Sequence, residues 1–174
     1  MRPLLVFACV FFTALAPGQT AQPPAPNAVA VTKYILGVAD LDKSYAFYHA
    51  LGLDLRKPGP LAKPNTLAEA LLKLVDVPAG TKFRNMMLAI PNAAFPIEVT
   101  EFTSMDVRPA KPRIQDPGAS LLVVDVDDVD AALAAAKKAG GEVISTGGGP
   151  VKRASGPGRV VTLRDPDGYY VELS

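Results

Sequence analysis

The chain contains an internal repeat, which constrains its fold more than any other feature of the sequence. Residues 38–52 match residues 126–140 without a gap, because both segments begin with Val, place Asp two positions later and end in Gly. Near the far ends, the Ile-Glu-Val of residues 97–99 matches the Val-Glu-Leu of residues 171–173. Asp is a favoured helix N-cap, and Gly commonly ends a helix. The repeat therefore predicts two copies of one module that begins with a strand and a helix.

Hydrophobic periodicity predicts a strand, a helix and three further strands in each half, which gives an α+β fold. The first half is expected to contain strand 31–38, helix 41–51 capped by Asp40, strand 53–56, a short helix to Val75 opened by a capping box from Thr66 to Glu69, and strands 85–90 and 97–102. The second half is expected to contain strand 120–126, helix 129–139 capped by Asp128, strand 142–145, a Gly-rich loop at 146–157, and strands 159–163 and 169–173.

The last two strands form a hairpin that closes the chain. Residues 165–168 read Asp-Pro-Asp-Gly, in which Pro presets φ and Gly accepts the positive φ of a tight turn. Glu172 alternates with two apolar neighbours on the final strand. If those neighbours pack against a helix, Glu172 lies on the opposite face, where it is either solvated or directed into a cavity.

The N-terminal segment is typical of a secretory signal peptide. Arg2 precedes an apolar stretch of roughly a dozen residues, which is too short to span a bilayer. Small residues predict cleavage after Gly18 or Ala21; the alternatives are a buried strand or an uncleaved anchor. Cys9 is the single cysteine and lies in this segment, so the mature chain has no disulfide or thiolate metal site. We expect a secreted or periplasmic protein.

Composition then divides the chain into a signal peptide and one domain of two modules. The predicted boundaries are a signal peptide at 1–21, a proline-rich tether at 22–29, module one at 30–104, a charged proline-rich linker at 105–117 and module two at 118–174. The net charge of +1 over 174 residues gives no reason to expect nucleic acid as a partner. No membrane association is expected after signal cleavage.

Several of these motifs resemble the vicinal oxygen chelate superfamily, which includes glyoxalase I, bleomycin-resistance proteins, extradiol dioxygenases and methylmalonyl-CoA epimerase. The resemblance rests on residues 38–48, 51–53, 126–132 and 165–168, together with Glu172. It covers the chain from about residue 30 to the C-terminus. It implies two tandem βαβββ modules whose curled mixed sheets enclose a cavity.

The resemblance also implies four positions for metal ligands, one on the first strand and one on the last strand of each module. Metal-dependent members usually carry His on the first strands and Glu on the last. Here the last-strand positions hold Glu98 and Glu172, but the first-strand positions hold Lys33 and Leu121. A protonated lysine is a poor ligand and leucine is none, whereas two carboxylates alone bind Mg²⁺, Mn²⁺ or Ca²⁺ weakly. His49, the single histidine, is expected on the first helix, either on its surface or between the helix and the sheet, and not in the cavity.

We therefore hypothesise that Lys33 pairs with Glu98, Glu172 or both and takes the electrostatic place of the metal. These three residues are the candidate catalytic groups, and the two glutamates are the candidate metal ligands. Strand parity and the resemblance add candidate substrate-binding residues, which are Lys33, Ile35, Gly37, Thr100, Leu121, Val123, Asp125 and Tyr170. The alternative is that the apolar members of this set fill a closed core. Arg153 in the Gly-rich loop either closes over an anionic substrate or remains solvated.

Three functions follow from these residues. The favoured one is an exported, metal-free protein that binds a small molecule between its modules, as in the bleomycin-resistance branch. The second is a metal-dependent lyase, epimerase or dioxygenase using Glu98 and Glu172. The third is a metal-free enzyme in which Lys33 and a glutamate form an acid–base pair. No cofactor is expected under the first function, and the modules pair either within one chain or across a homodimer.

Overall fold

The computed structural model describes residues 30–174, so the predicted signal peptide and tether lie outside the described residues. Residues 31–174 form one compact unit. Within the described range, no helix combines the length and the hydropathy needed to cross a lipid bilayer.

The first module builds a mixed four-stranded sheet. Its elements are β1 (Tyr34–Val38), α1 (Leu41–Ala50), β2 (Asn65–Thr66), α2 (Glu69–Val75), β3 (Lys82–Leu88) and β4 (Ile97–Thr103). The strand order is β1-β4-β3-β2, in which β1 runs parallel to β4 and the other pairs are antiparallel. This order leaves β1 at an edge of the sheet.

The second module repeats this arrangement. Its elements are β5 (Leu121–Val124), α3 (Val129–Lys138), β6 (Glu142–Val143), β7 (Val151–Lys152), β8 (Arg159–Arg164) and β9 (Tyr170–Leu173). The order is β5-β9-β8-β6, with β7 also paired to β8 and with β5 parallel to β9. The α+β class with two mixed sheets is confirmed, and the sheets do not close into a barrel.

Both main helices begin as the repeat predicts. Asp40 accepts hydrogen bonds from the backbone N–H groups of Asp42 and Lys43 at 3.1 and 3.2 Å. Asp128 does the same for the N–H groups of Asp130 and Ala131 at 2.9 and 3.0 Å. These caps satisfy donors that have no partner inside a helix.

A buried carboxylate joins α1 to the first sheet. Glu101 is 6% exposed, and its Oε2 accepts from the Leu41 N–H at 2.7 Å. The same oxygen accepts from Arg84 Nε and Nη2 at 2.9 and 2.7 Å. A charged donor and a backbone donor thus compensate the burial of this carboxylate, which fixes the start of α1 against β3 and β4.

One hydrophobic core unites the two modules. Its fully buried side chains come from α1 and from both sheets, and they include Phe47, Tyr48, Leu88, Val99, Val161, Leu163 and Leu173. A Cβ added at Gly141 would lie 2.9 Å from Phe47 Cε2 and 2.9 Å from the Ala136 carbonyl oxygen. The absence of a side chain at Gly141 therefore allows α1 to approach the end of α3.

Three local predictions are wrong. Thr66 does not cap α2, because it lies in β2 and pairs with Lys82. The helix α2 instead begins after Ala68, without a side-chain cap. The predicted strand 53–56 is reduced to one bridge between Leu55 and Leu88. The Gly-rich loop contains β7, because Val151 and Lys152 pair with β8.

Candidate functional site

Glu98 on β4 is the centre of a polar cluster, which we call the Glu98 cluster and define as Lys33, Asn85, Glu98 and Thr100. Glu98 is 7% exposed. The Lys33 ammonium donates to Glu98 Oε2, and Asn85 Nδ2 donates to Glu98 Oε1 at 2.7 Å. Thr100 Oγ1 lies 3.4 Å from Oε1, a weaker contact. Both carboxylate oxygens therefore have donors from within the chain.

Strand register explains why these residues meet. Ile35 on β1 and Met87 on β3 both lie opposite Glu98, while Thr100 lies opposite Asn85. The neighbours of these residues along β1 and β4, such as Leu36 and Val99, lie in the hydrophobic core. Because successive side chains of a strand alternate between faces, the Glu98 cluster lies on the other face of the sheet. Ile35 is 52% exposed, so this face is not the closed core that the sequence left open as an alternative.

The charge of Glu98 follows from these contacts. Burial by itself would raise the pKa of Glu98. Hydrogen bonds from Lys33 and Asn85, together with the positive charge of Lys33, outweigh burial and lower the pKa below its ordinary value. Glu98 is therefore a carboxylate at neutral pH.

The second glutamate has a different environment. Glu172 on β9 lies opposite Val123 and Thr162. It is half-buried, and no hydrogen bond or salt bridge joins its carboxylate to another side chain or backbone group in the described part of the chain. Val123 is 54% exposed. The structure therefore brings Lys33 to Glu98 and leaves Glu172 outside the Glu98 cluster.

Tyr170 is covered by the linker between the modules. It is 3% exposed, and its hydroxyl donates to the Pro112 carbonyl oxygen at 3.0 Å. Arg164 donates to the Tyr170 hydroxyl at 2.6 Å, and its guanidinium lies 4.9 Å from the centre of the Tyr170 ring. The sequence predicted the linker but gave no signal for this contact.

Arg153, Asp125 and His49 make their contacts outside the Glu98 cluster. Arg153 follows β7, and its backbone N–H bonds to the Gly158 carbonyl at 3.1 Å; its side chain lines none of the cavities described below. Asp125 accepts from the Ser174 hydroxyl at 2.6 Å. The His49 side chain is 57% exposed and pairs with Asp54, on the helix surface.

A second polar network, which sequence reasoning missed, joins the modules through the closing turn. Asp167 Oδ1 accepts from the Ala39 N–H at 2.7 Å, and its Oδ2 accepts from the Ser44 hydroxyl at 2.8 Å. The Tyr169 hydroxyl donates to the Gly37 carbonyl at 3.0 Å. The turn of module two thus holds the segment that leads from β1 into α1.

The same turn contains a buried pair of titratable groups. Asp165 is 4% exposed, and its Oδ2 accepts from the Tyr48 hydroxyl at 2.8 Å. Burial, and secondarily the neighbouring Asp165 charge, raise the pKa of Tyr48 well above its ordinary value. Burial also raises the pKa of Asp165, although hydrogen bonds from Tyr48 and the turn backbone oppose the shift.

Two cavities lie between the modules. The first, the linker cavity, has a volume of about 450 Å³ and is lined by Gly37, Phe102, Arg108, Pro112, Tyr169 and Tyr170, among others. The second, the tyrosine cavity, has a volume of about 280 Å³ and is lined by Tyr34, Tyr48, Phe95, Leu121, Tyr169 and Tyr170, among others. A third cavity of about 560 Å³ lies on the first module beside Asn85 and Met87. Neither Glu98 nor Glu172 lines any of the three.

The residues present do not fit the His-ligated metal that the resemblance implies. Lys33 and Leu121 offer no ligand at the first-strand positions. Both oxygens of Glu98 already accept hydrogen bonds, one of them from an ammonium group. Within residues 30–174, no three His, Cys, Asp or Glu side chains come together as a metal site.

Comparison with known proteins agrees with this architecture. A glyoxalase family protein from Bacillus cereus is 16% identical over 86% of this chain and 95% of that chain, with a TM-score of 0.67. A glyoxylase/bleomycin resistance protein/dioxygenase domain from Frankia sp. is 21% identical over 84% and 97% of the two chains, with a TM-score of 0.51. A glyoxalase I mutant from Zea mays is 18% identical over 82% of this chain and 45% of that chain, with a TM-score of 0.50. At these identities the likeness establishes the fold alone.

The family itself follows from the sequence match. No curated protein matches the chain. The family model described as Glyoxalase/Bleomycin resistance protein/Dioxygenase superfamily matches residues 29–173, which is most of the chain. The chain is therefore a member of the Glyoxalase/Bleomycin resistance protein/Dioxygenase superfamily, the vicinal oxygen chelate fold that its repeat and motifs resemble.

Proposed function

We propose that this chain is an exported protein that binds a small molecule between its modules and does not use the metal of its metal-dependent relatives. The observation that carries the proposal is the contact between Lys33 and Glu98. It places a positive charge of the protein on the carboxylate that would otherwise ligate the metal.

The electrostatics of the Glu98 cluster oppose metal binding. A divalent cation at Glu98 would have to displace Lys33 or share the carboxylate with it, and like charges at such separations repel strongly. A metal ion bound by both oxygens of Glu98 would also disrupt the hydrogen bonds that Asn85 and Thr100 donate to Oε1. The corresponding position on the second module holds Leu121, whose side chain offers no metal ligand to compensate for the lost hydrogen bonds.

Two features support binding of a small molecule between the modules. The linker cavity and the tyrosine cavity each take lining residues from both modules. Both are mostly apolar with a few polar groups, as small-molecule sites usually are, and their volumes are near the usual range for such sites. The signal-peptide features of residues 1–21 support export.

Metal content tests the proposal. The purified protein is incubated with Zn²⁺, Ni²⁺, Mn²⁺, Fe²⁺ or Mg²⁺, desalted, and analysed for bound metal by mass spectrometry. We expect substoichiometric metal, unchanged in Glu98→Gln. A near-stoichiometric metal that Glu98→Gln or Glu172→Gln removes would overturn the proposal in favour of a metal-dependent lyase, epimerase or dioxygenase.

The Lys33→Ala variant sharpens this test, because it removes the positive charge and keeps both glutamates. We expect the variant to bind Mn²⁺ more tightly than the parent protein in an equilibrium titration, since Glu98 then lacks its cation. Equal Mn²⁺ affinity in the two proteins would show that Lys33 does not exclude the metal. Lys82→Ala, which alters an exposed lysine on β3, is the control.

A further inference from the structure

The tyrosine cavity differs from the other two cavities in the chemistry of its walls. Five of its lining residues are aromatic, namely Tyr34, Tyr48, Phe95, Tyr169 and Tyr170. Its other lining residues are aliphatic apart from Ser120. None of its lining residues among residues 30–174 is an Asp, Glu, Lys, Arg or His.

The tyrosine hydroxyls that could make this cavity polar are largely engaged elsewhere. Tyr48 donates to Asp165 Oδ2 at 2.8 Å, and Tyr169 donates to the Gly37 carbonyl at 3.0 Å. Tyr170 donates to the Pro112 carbonyl at 3.0 Å. The donors of these three tyrosines are therefore already satisfied. Tyr48 and Tyr170 are buried, so the accessible tyrosine rings of the cavity are those of Tyr34 and Tyr169.

Such walls favour an uncharged ligand. A carboxylate or ammonium group buried against these walls would lose hydration and find no opposite charge among the lining residues, which weakens its binding. An aromatic ligand can contact the rings of the cavity edge-on or offset, and these contacts stabilise binding beyond the burial of its apolar area. The volume of about 280 Å³ is enough for one or two fused rings.

We propose that the tyrosine cavity binds a small neutral aromatic molecule of one or two rings, with room for one hydroxyl or N–H group near Tyr34 and Ser120. The hydroxyls of Tyr34 and Ser120 make no hydrogen bond to other residues of the described chain and are the free polar groups of the cavity. This inference rests on the proposed small-molecule function and names the class of ligand. Because the walls come from both modules, the ligand would also link them.

Isothermal titration calorimetry with three probes tests the ligand class. Indole is the neutral aromatic probe, indole-3-carboxylate adds a charge to the same ring, and cyclohexanol is neutral without an aromatic ring. We expect indole to bind with a Kd at least tenfold lower than either of the other two probes. Equal or tighter binding of the carboxylate, or no detectable binding of indole, would overturn the inference.

A matched pair of variants tests the place of binding. Leu121→Trp fills the cavity from β5, whereas Val151→Trp adds the same ring on β7 outside it; both parent side chains are 41% exposed. We expect Leu121→Trp to weaken indole binding at least tenfold and Val151→Trp to leave it unchanged. If Leu121→Trp fails to fold, as judged by its circular dichroism melting curve, Tyr34→Ala takes its place, since it removes one aromatic wall. Unchanged binding in the folded cavity variant would overturn the inference.

The outcomes separate this inference from the proposed function. Stoichiometric metal overturns the proposed function whatever the indole titration gives. A metal-free protein that binds a charged or polar molecule and ignores indole retains the proposed function and loses the inference.

Discussion

Tyr48 on α1 donates a 2.8 Å hydrogen bond to Asp165 in the turn between β8 and β9, so a buried phenol of the first module is paired with a buried carboxylate of the second. Both residues are buried, so little water can reach this bond. The other oxygen of Asp165 accepts from the backbone N–H groups of residues 167–169 at 2.8–3.0 Å. One carboxylate therefore organises the turn and fastens it to the neighbouring module.

Tyr48→Phe should destabilise the protein by about 2 kcal/mol, because it leaves a buried carboxylate oxygen without its donor. Urea denaturation followed by circular dichroism measures the loss. Tyr45→Phe is the control, since Tyr45 lies on the same helix and its hydroxyl has no hydrogen-bond partner in the described chain. Equal unfolding free energies for the two variants would contradict the role assigned to this bond.

Lys33→Met should reduce stability by about 1 kcal/mol at neutral pH, because the Lys33 side chain is 41% exposed and solvent screens part of its attraction to Glu98. The methylene stem is retained, so the loss reports the ammonium group. Chemical denaturation of Lys33→Met and of Lys82→Met gives the comparison. A loss no larger than that of the Lys82 variant would mean that the ion pair contributes nothing to stability.

The stability contributed by Glu98 should disappear on acidification. Its pKa in the folded protein is lowered from the ordinary value of 4.5, so the unfolded chain binds the proton more tightly. Stability from this group is therefore present above pH 4.5 and is lost as the pH falls through the folded pKa.

The difference in unfolding free energy between the parent protein and Glu98→Gln isolates this effect. We expect the difference to shrink between about pH 6 and about pH 3. Asp165 works in the opposite sense, since its raised pKa favours the folded state at low pH, and the subtraction removes its contribution. A difference that stays constant across this range would contradict the lowered pKa.

Gly168→Ala should destabilise the protein by about 1–3 kcal/mol, mainly through backbone strain. Gly168 has a φ of +101°, and an added Cβ would lie 3.1 Å from Lys111 Cγ, a flexible side chain that can move. Gly149→Ala is the matched control, because no atom lies within 4 Å of its added Cβ and its φ is outside the left-handed region. Thermal melting of both variants decides whether the turn needs glycine at position 168.

Local patterns predicted the parts of this fold that depend on neighbouring residues. The N-caps Asp40 and Asp128 lie at the starts of α1 and α3, and the hairpin turns at residues 165–168, because each motif satisfies backbone groups within a few positions of itself. The same reasoning was wrong for Thr66. Thr66 pairs with Lys82 of β3 and does not cap α2.

The candidate site depended on contacts between distant segments, which periodicity alone does not give. Parity placed Ile35 and Thr100 on the face of Glu98, and the register of β1 against β4 agrees with it. Asn85 was missed, although a lone amide in the apolar strand 85–90 was a signal for a buried polar contact. The covering of Tyr170 by Pro112 had no signal, since a linker sequence does not specify where it packs.

The closing turn also makes the two modules unequal in their contacts. Asp167 supplies acceptors for Ala39 and Ser44 of the first half, whereas no hydrogen bond in the described structure runs from the corresponding β3–β4 connection, residues 89–96, to α3. In return, Tyr48 of the first half donates to Asp165 of the same turn. A first half produced alone would keep the Asp40 cap at the start of α1 but would leave Ala39 and Ser44 without the Asp167 carboxylate. The two modules are therefore alike in fold but not interchangeable in their contacts.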